Sequence, residues 1–192
     1  MITEHARRTI LQIILVLLLC CSLQREGRAQ INSSTAAVAL TATLGELLSI
    51  TATPSAVTFT LVQGGVAVGS APVAIQTKWL FLPTRANLFL NGYFASSTAA
   101  LTDGAATPDY IPASAVLGQM TTGSPTTYTA FTQNTVLGPA GAGLLLFTQS
   151  LTSLTRASTR TDNLSLEINL ASLPQLPAGV YTGTLTLQAE AL

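Results

Sequence analysis

From residue 30 onward the sequence contains neither cysteine nor histidine, since Cys20, Cys21 and His5 all lie before that point. Any chemistry in that stretch must come from carboxylates, hydroxyls, three arginines and a single lysine. Ser-His and Cys-His nucleophiles cannot be built from this set, nor can a structural zinc site of cysteine and histidine. A serine–lysine pair would have to use Lys78, which lies between Thr77 and Trp79 in a predicted strand with no Ser-x-x-Lys motif. It reads as a solvent-facing strand lysine. Paired carboxylates suit glycoside hydrolysis. However, Glu167 falls on the polar face of a predicted strand and Glu190 lies close to the last residue, and both read as outer-face charges. Asp103 and Asp109 share a loop with Asp103-Gly104 as a turn pair, and their spacing does not match a calcium loop. The expectation is a non-enzymatic chain with no catalytic, cofactor-binding or metal-binding residues.

The residues before position 30 have a different character. Arg7 and Arg8 precede an apolar run from Ile13 to Leu19, and Gly27-Arg28-Ala29 follows with small residues at both ends. A basic head, a short apolar middle and a small-x-small ending describe a secretory signal peptide over residues 1–29. The run is shorter than the about 20 apolar residues that span a bilayer. The expected localisation is secreted, periplasmic or cell-surface, with the membrane met only in transit. Residues 30–192 read as one domain, large enough to form a core without disulfides. They carry four cations (Lys78, Arg85, Arg156, Arg160) and six anions, a net charge of −2. Without a basic patch, nucleic acid is excluded as an expected partner.

The elements that position these groups are strands. Val38, Leu40, Ala42 and Leu44 alternate with polar or small residues across 35–44. Residues 47–53, 56–62, 72–82 and 87–94 repeat the pattern, with Pro54, Gln63-Gly64-Gly65 and Pro83 as punctuation. The stretch 96–125, with Pro108 and Pro112, reads as a long loop region, with one helical turn near 111–116 and Pro112 at its start. Strands are expected near 126–131 and 144–149. In 163–170, Leu164, Leu166, Ile168 and Leu170 face one way, and a last strand is predicted over 179–191. No sustained helical period appears after residue 30. The expected fold is an all-β, two-sheet antiparallel sandwich.

Aromatic and apolar residues divide into two groups. Val73, Ile75, Trp79 and Phe81 share parity, interrupted by Thr77, and read as a core face. Trp79 and Phe81 are expected in the core with Leu166, Ile168, Tyr181, Leu185 and Leu187. A buried Trp79 would need a partner for its indole N–H. Tyr93, Tyr110 and Tyr128 are the candidate binding aromatics, the last two in or beside the loop region where binding residues concentrate.

The stretch Pro177-Ala178-Gly179-Val180-Tyr181-Thr182-Gly183-Thr184-Leu185-Thr186-Leu187 resembles the last strand of secreted bacterial pilin-like domains, the spore coat protein U domains and fimbrial-type subunits. The resemblance covers about fifteen residues, and residues 30–192 lack the cysteine pair that many such subunits carry. It implies an immunoglobulin-like sandwich with one strand missing, supplied by a neighbour's N-terminal extension through main-chain pairing. Val38, Leu40, Ala42 and Leu44 are then either donor-strand residues or part of the domain's own first strand. The expected function is an exported structural or cell-surface subunit that assembles by strand addition. The alternative is a secreted β-sandwich module that binds carbohydrate or protein.

Overall fold

A computed structural model describes residues 8, 9, 11–15, 34–173 and 175–192. The proposed cleavage site at 27–29, both cysteines and His5 lie outside the described residues. The chain divides into two units, residues 1–42 and residues 43–192. In the first unit, residues 8, 9 and 11–15 are helical, and residues 34–42 are exposed without regular structure. Among the described residues no helix is long and apolar enough to cross a membrane.

The second unit is an antiparallel β-sandwich. Its strands are β1 (Leu47–Thr53), β2 (Val66–Val68), β3 (Val73–Leu80), β4 (Asn87–Tyr93), β5 (Leu101–Thr102) and β6 (Tyr110–Ile111). They continue with β7 (Val116–Met120), β8 (Thr129–Ala130), β9 (Gly143–Ser150), β10 (Ala157–Asn169) and β11 (Thr186–Ala191). The larger sheet runs β1-β3-β10-β7-β8, with β2 also on β10. The smaller runs β11-β4-β9, and β5 pairs with β6. β1 and β11 are edge strands of the two sheets and lie near each other.

Period-2 burial explains the central strands. On β3, Val73, Ile75, Thr77 and Trp79 are buried while Gln76 and Lys78 are exposed. On β10, Asp162, Leu164, Leu166 and Ile168 are buried, and the strand pairs with β3 on one side and β7 on the other. Trp79 donates its indole N–H to the Thr155 carbonyl at 2.8 Å, which satisfies the polar end of a side chain only 4% exposed. Thr77 is fully buried, and its Oγ1 has no hydrogen-bond partner among the described residues. Gly118 on β7 lets the second sheet approach: a Cβ there would stand 3.0 Å from Leu144 Cδ2 on β9. Phe94 and Phe131 meet edge-to-face at 5.2 Å near the same junction, a favourable arrangement for aromatic rings.

The structure corrects four readings of the sequence. The predicted loop region near 96–125 contains β5, β6, a 3-10 turn at Ala113–Ala115 and β7, a paired strand of the large sheet. Gly118 hid the inward parity of Val116 and Met120. Residues 34–46 form no strand, so Val38, Leu40, Ala42 and Leu44 are not the domain's own first strand, which is β1. Residues 56–62 lie outside any strand, and the last strand begins at Thr186 instead of Gly179. These last three corrections have a common cause. Alternation marks a chain shaped for a sheet, but a strand also needs a ladder partner.

Candidate functional site

Two segments that lie outside the strands of the sandwich face one open groove. The first segment follows β1. Pro54 has no N–H to offer a ladder, so strand pairing stops there. Beyond it, Val57, Phe59 and Leu61 are half-buried while Thr58, Thr60 and Val62 are exposed, so strand parity persists without a strand. Ser70 ties the segment down: its N–H donates to the Thr58 carbonyl at 2.9 Å, and the Thr58 N–H donates to Ser70 Oγ at 3.2 Å.

The second segment precedes β11. Tyr181 and Leu185 are half-buried, and Val180, Thr182, Gly183 and Thr184 are exposed. Thr182 forms an isolated bridge with Thr102, with N–H to carbonyl distances of 2.8 and 2.9 Å. Gly183 lies so close to the backbone of Ala100 that a Cβ would overlap the Ala100 carbonyl oxygen. Glycine is what allows this segment to sit where it does. The Tyr181 hydroxyl donates to the Pro177 carbonyl at 3.1 Å. Desolvation, reinforced by Asp109 and Asp103, raises its pKa above the usual tyrosine value.

Between the segments lies a groove of about 690 Å³. One wall is Ala52, 54–59 and Leu61, the other is 179–185 and Leu187, and buried Val73, Phe94, Val116, Leu166 and Ile168 line its base. No lining residue carries a charge; the polar side chains are the hydroxyls of Ser55, Thr58, Tyr181, Thr182 and Thr184. The groove therefore offers a mainly apolar surface with hydroxyl groups at its walls. A ligand complementary to it is itself extended, with apolar side chains on one face and a main chain able to pair.

The predicted core residues separate into two sets. Trp79, Phe81, Leu166 and Ile168 are buried, while Tyr181, Leu185 and Leu187 are half-buried and line the groove. The candidate binding aromatics are not brought together on one element. Tyr93 lies on β4 with its hydroxyl donating to Gln188 Oε1 at 2.8 Å, Tyr110 lies exposed on β6, and Tyr128 precedes β8. None of the three lines the groove. Of the four arm residues, Val38 and Leu40 are 81% and 90% exposed, and Ala42 and Leu44 are also exposed.

Sequence reasoning missed the wall at 54–61, which it read as an ordinary paired strand. The signal was present in its position: an alternating run set between Pro54 and a glycine turn, next to an edge strand. It also passed over Glu46 and Arg85, which form an ion pair at 3.2 Å at the start of β1. No family model matches the chain, and neither a curated protein nor a solved structure matches it.

Proposed function

We propose that the chain is an exported, non-enzymatic structural subunit that assembles by strand addition, with residues 37–44 of one copy seated in the groove of another. One observation carries this reading. Three segments lie outside the strands: the two groove walls at 54–62 and 179–185, which are held only by the Thr58–Ser70 bonds and the single Thr182–Thr102 bridge, and the arm at 35–44. Two shape a seat, and the third has the form of what fits it. Val38, Leu40, Ala42 and Leu44 present one apolar face to match the apolar base, and neither groove nor arm carries charge from Ala36 to Leu44.

Magnitudes indicate where the affinity would arise. Burying each valine or leucine contributes about 1.5–3 kcal/mol. Ordering the arm costs about 1–2 kcal/mol per residue. Side-chain burial alone does not offset that cost, so ladder bonds to the walls must contribute. A neighbour's arm is also favoured over the chain's own. A tight two-residue reversal at 44–45 would lay residues 38–43 opposite about 46–51 of β1, short of the walls that begin at Ala52.

The test is a chain lacking residues 31–44. It is expected to remain monomeric in light scattering at concentrations where the full chain assembles, and to bind an added peptide of residues 34–45. A full chain that stays strictly monomeric at high concentration and ignores the peptide would overturn the proposal.

A further inference from the structure

β1 is the long open edge of the larger sheet. It runs seven residues, Leu47–Thr53, and pairs only with β3. It contains no charge and no proline, and its register to β3 has no bulge. Those are the features with which natural sheets protect their edges. Among the described residues, no hydrogen bond outside the β1–β3 ladder reaches residues 47–53. Other edges are covered or short. Along β9 the Leu146 carbonyl accepts the Ser124 N–H at 2.9 Å, and the Leu145 N–H donates to Gln133 Oε1 at 2.8 Å. On β11 the Ala191 carbonyl accepts Arg85 Nη1 at 3.4 Å, and β8 has only two residues.

The side chains of β1 are also incompletely covered. Leu48, Ile50 and Ala52 stand beside buried Trp79, Thr77 and Ile75 in the ladder, so they share the core side of the sheet. Yet Leu48 is 36% exposed, Ala52 is exposed and Ile50 is half-buried. A second, antiparallel β1 related by a two-fold axis at Ile50 sets Leu47 against Thr53, Leu48 against Ala52 and Ser49 against Thr51. Directly opposed residues point to the same face, so the apolar core sides of both copies meet. The next pair is Glu46 with Pro54, and the ladder ends there because proline has no N–H. Glu46 is already compensated within its own copy by Arg85 at 3.2 Å. No like charges oppose each other along the paired strands.

We infer that β1 is an interaction surface for the β1 of a second copy, which continues the larger sheet across two chains. Self-complementarity selects this occupant. An isologous contact needs one strip of surface that matches itself, and β1 does so along its whole length without a charge. A shift of two residues either way leaves fewer pairs, and one of the shifts draws Pro54 into the ladder. The strip shares only Ala52 with the groove, so this contact goes beyond strand addition and needs no seated arm. At seven residues a side it is smaller than a standard interface. It is therefore a weak contact, seen by trapping and not by light scattering.

The test is disulfide trapping in the full chain with Cys20→Ser and Cys21→Ser, which removes the native thiols. Chains carrying Ser49→Cys or Thr51→Cys, one of them size-tagged, are mixed and mildly oxidised. Opposed residues lie within disulfide reach, whereas the two copies of Ser49 sit diagonally at about 7–8 Å, beyond it. The mixed crosslinked dimer is expected to be about tenfold more abundant than either self-crosslinked dimer. It should exceed to a similar degree the dimer from Gln76→Cys, which is exposed on the outer face of β3. The same mixed yield is expected when Leu40→Asp is added to both chains. A mixed yield no higher than that of Gln76→Cys would overturn the inference. Equal mixed and self-crosslinked yields would overturn it too, since the contact would have no fixed register. Loss of the crosslink with Leu40→Asp would overturn β1 as a surface in its own right and leave the strand-addition reading intact. A peptide of residues 34–45 that fails to bind would remove the strand-addition reading and leave this inference standing.

Discussion

Arg160 and Asp162 lie two residues apart on β10 and pair across the edge of the core, with Arg160 Nε donating to Asp162 Oδ2 at 2.6 Å. Arg160 Nη2 also reaches Asp162 Oδ1 at 2.8 Å and the Thr122 carbonyl at 2.5 Å, and the Thr122 hydroxyl donates to Asp162 Oδ1. The guanidinium carbon lies 4.7 Å from the ring centre of Phe147 on β9, so one side chain links both sheets and the loop after β7. Asp162 is 2% exposed. Removing one partner of such a pair leaves a charge without compensation in a poorly solvated place.

Asp162→Ala is therefore expected to lower stability by about 3 kcal/mol, the low end of the range for buried pairs because Arg160 retains some solvent contact. Urea denaturation checks this. The double variant Arg160→Met/Asp162→Leu is expected to lose less than Asp162→Ala alone, because it leaves no charge behind.

The second groove wall depends on Gly183. Gly183→Ala forces its new methyl against the Ala100 carbonyl, and backbone there has to shift. The variant is expected to bind the peptide of residues 34–45 at least tenfold more weakly. Lys78→Ala is its control, since Lys78 is exposed on the outer face of β3 and does not line the groove. Binding should be unchanged there, as titrated by fluorescence anisotropy.

Parity within the arm gives a third prediction. Leu40→Asp places a charge on the face meant for the apolar base, and burying it unpaired is costly. Ala39→Asp places the same charge on the opposite face. The first is expected to abolish assembly and the second to leave it nearly intact. Neither should move the thermal midpoint, since residues 39 and 40 are exposed. Sedimentation and a melting curve read the two effects separately.

The Glu46–Arg85 pair gives a pH dependence of known sign. Hydrogen bonds from Arg85 and from the Leu82 backbone lower the Glu46 pKa, and the Glu46 hydrogen bond raises that of Arg85. A carboxylate with a depressed folded-state pKa contributes fully above its unfolded value and loses that contribution as pH falls through the folded value. The pair's contribution to the stability of the sandwich is expected to be flat from neutral pH down to the ordinary glutamate range and to weaken only below it. Because the pair is exposed, salt should weaken that contribution as well. In Glu46→Gln both dependences are expected to shrink, measured by urea denaturation against pH and ionic strength.

Most of the sandwich was legible in the sequence because β3 and the second half of β10, the centre of the larger sheet, alternate cleanly. Trp79 announced its need for a partner, and Thr155 supplies it. β7 was not legible: Gly118 and Gln119 blur its pattern, and only the leucines of β9 and β10 that close over Gly118 explain the glycine. The errors at 35–43, 56–62 and 179–185 run the other way. Val57, Phe59, Leu61, Tyr181 and Leu185 do face inward, as their parity says, but pairing is a relation between distant segments that a single strand's pattern does not contain. The polar pair Glu46–Arg85 had no local signature, since 39 residues separate its members.

β10 also governs when the sandwich can form. It pairs with β2, β3 and β7, and its register joins Leu80 to Ala157 and Val73 to Leu164. Sequence separations of that size give a high contact order, and loop closure must precede any reward from the ladder. Until a growing chain has been made as far as β10, β3 and β7 lack the strand that pairs with both. Folding is expected on the millisecond-to-second scale of non-local β topologies.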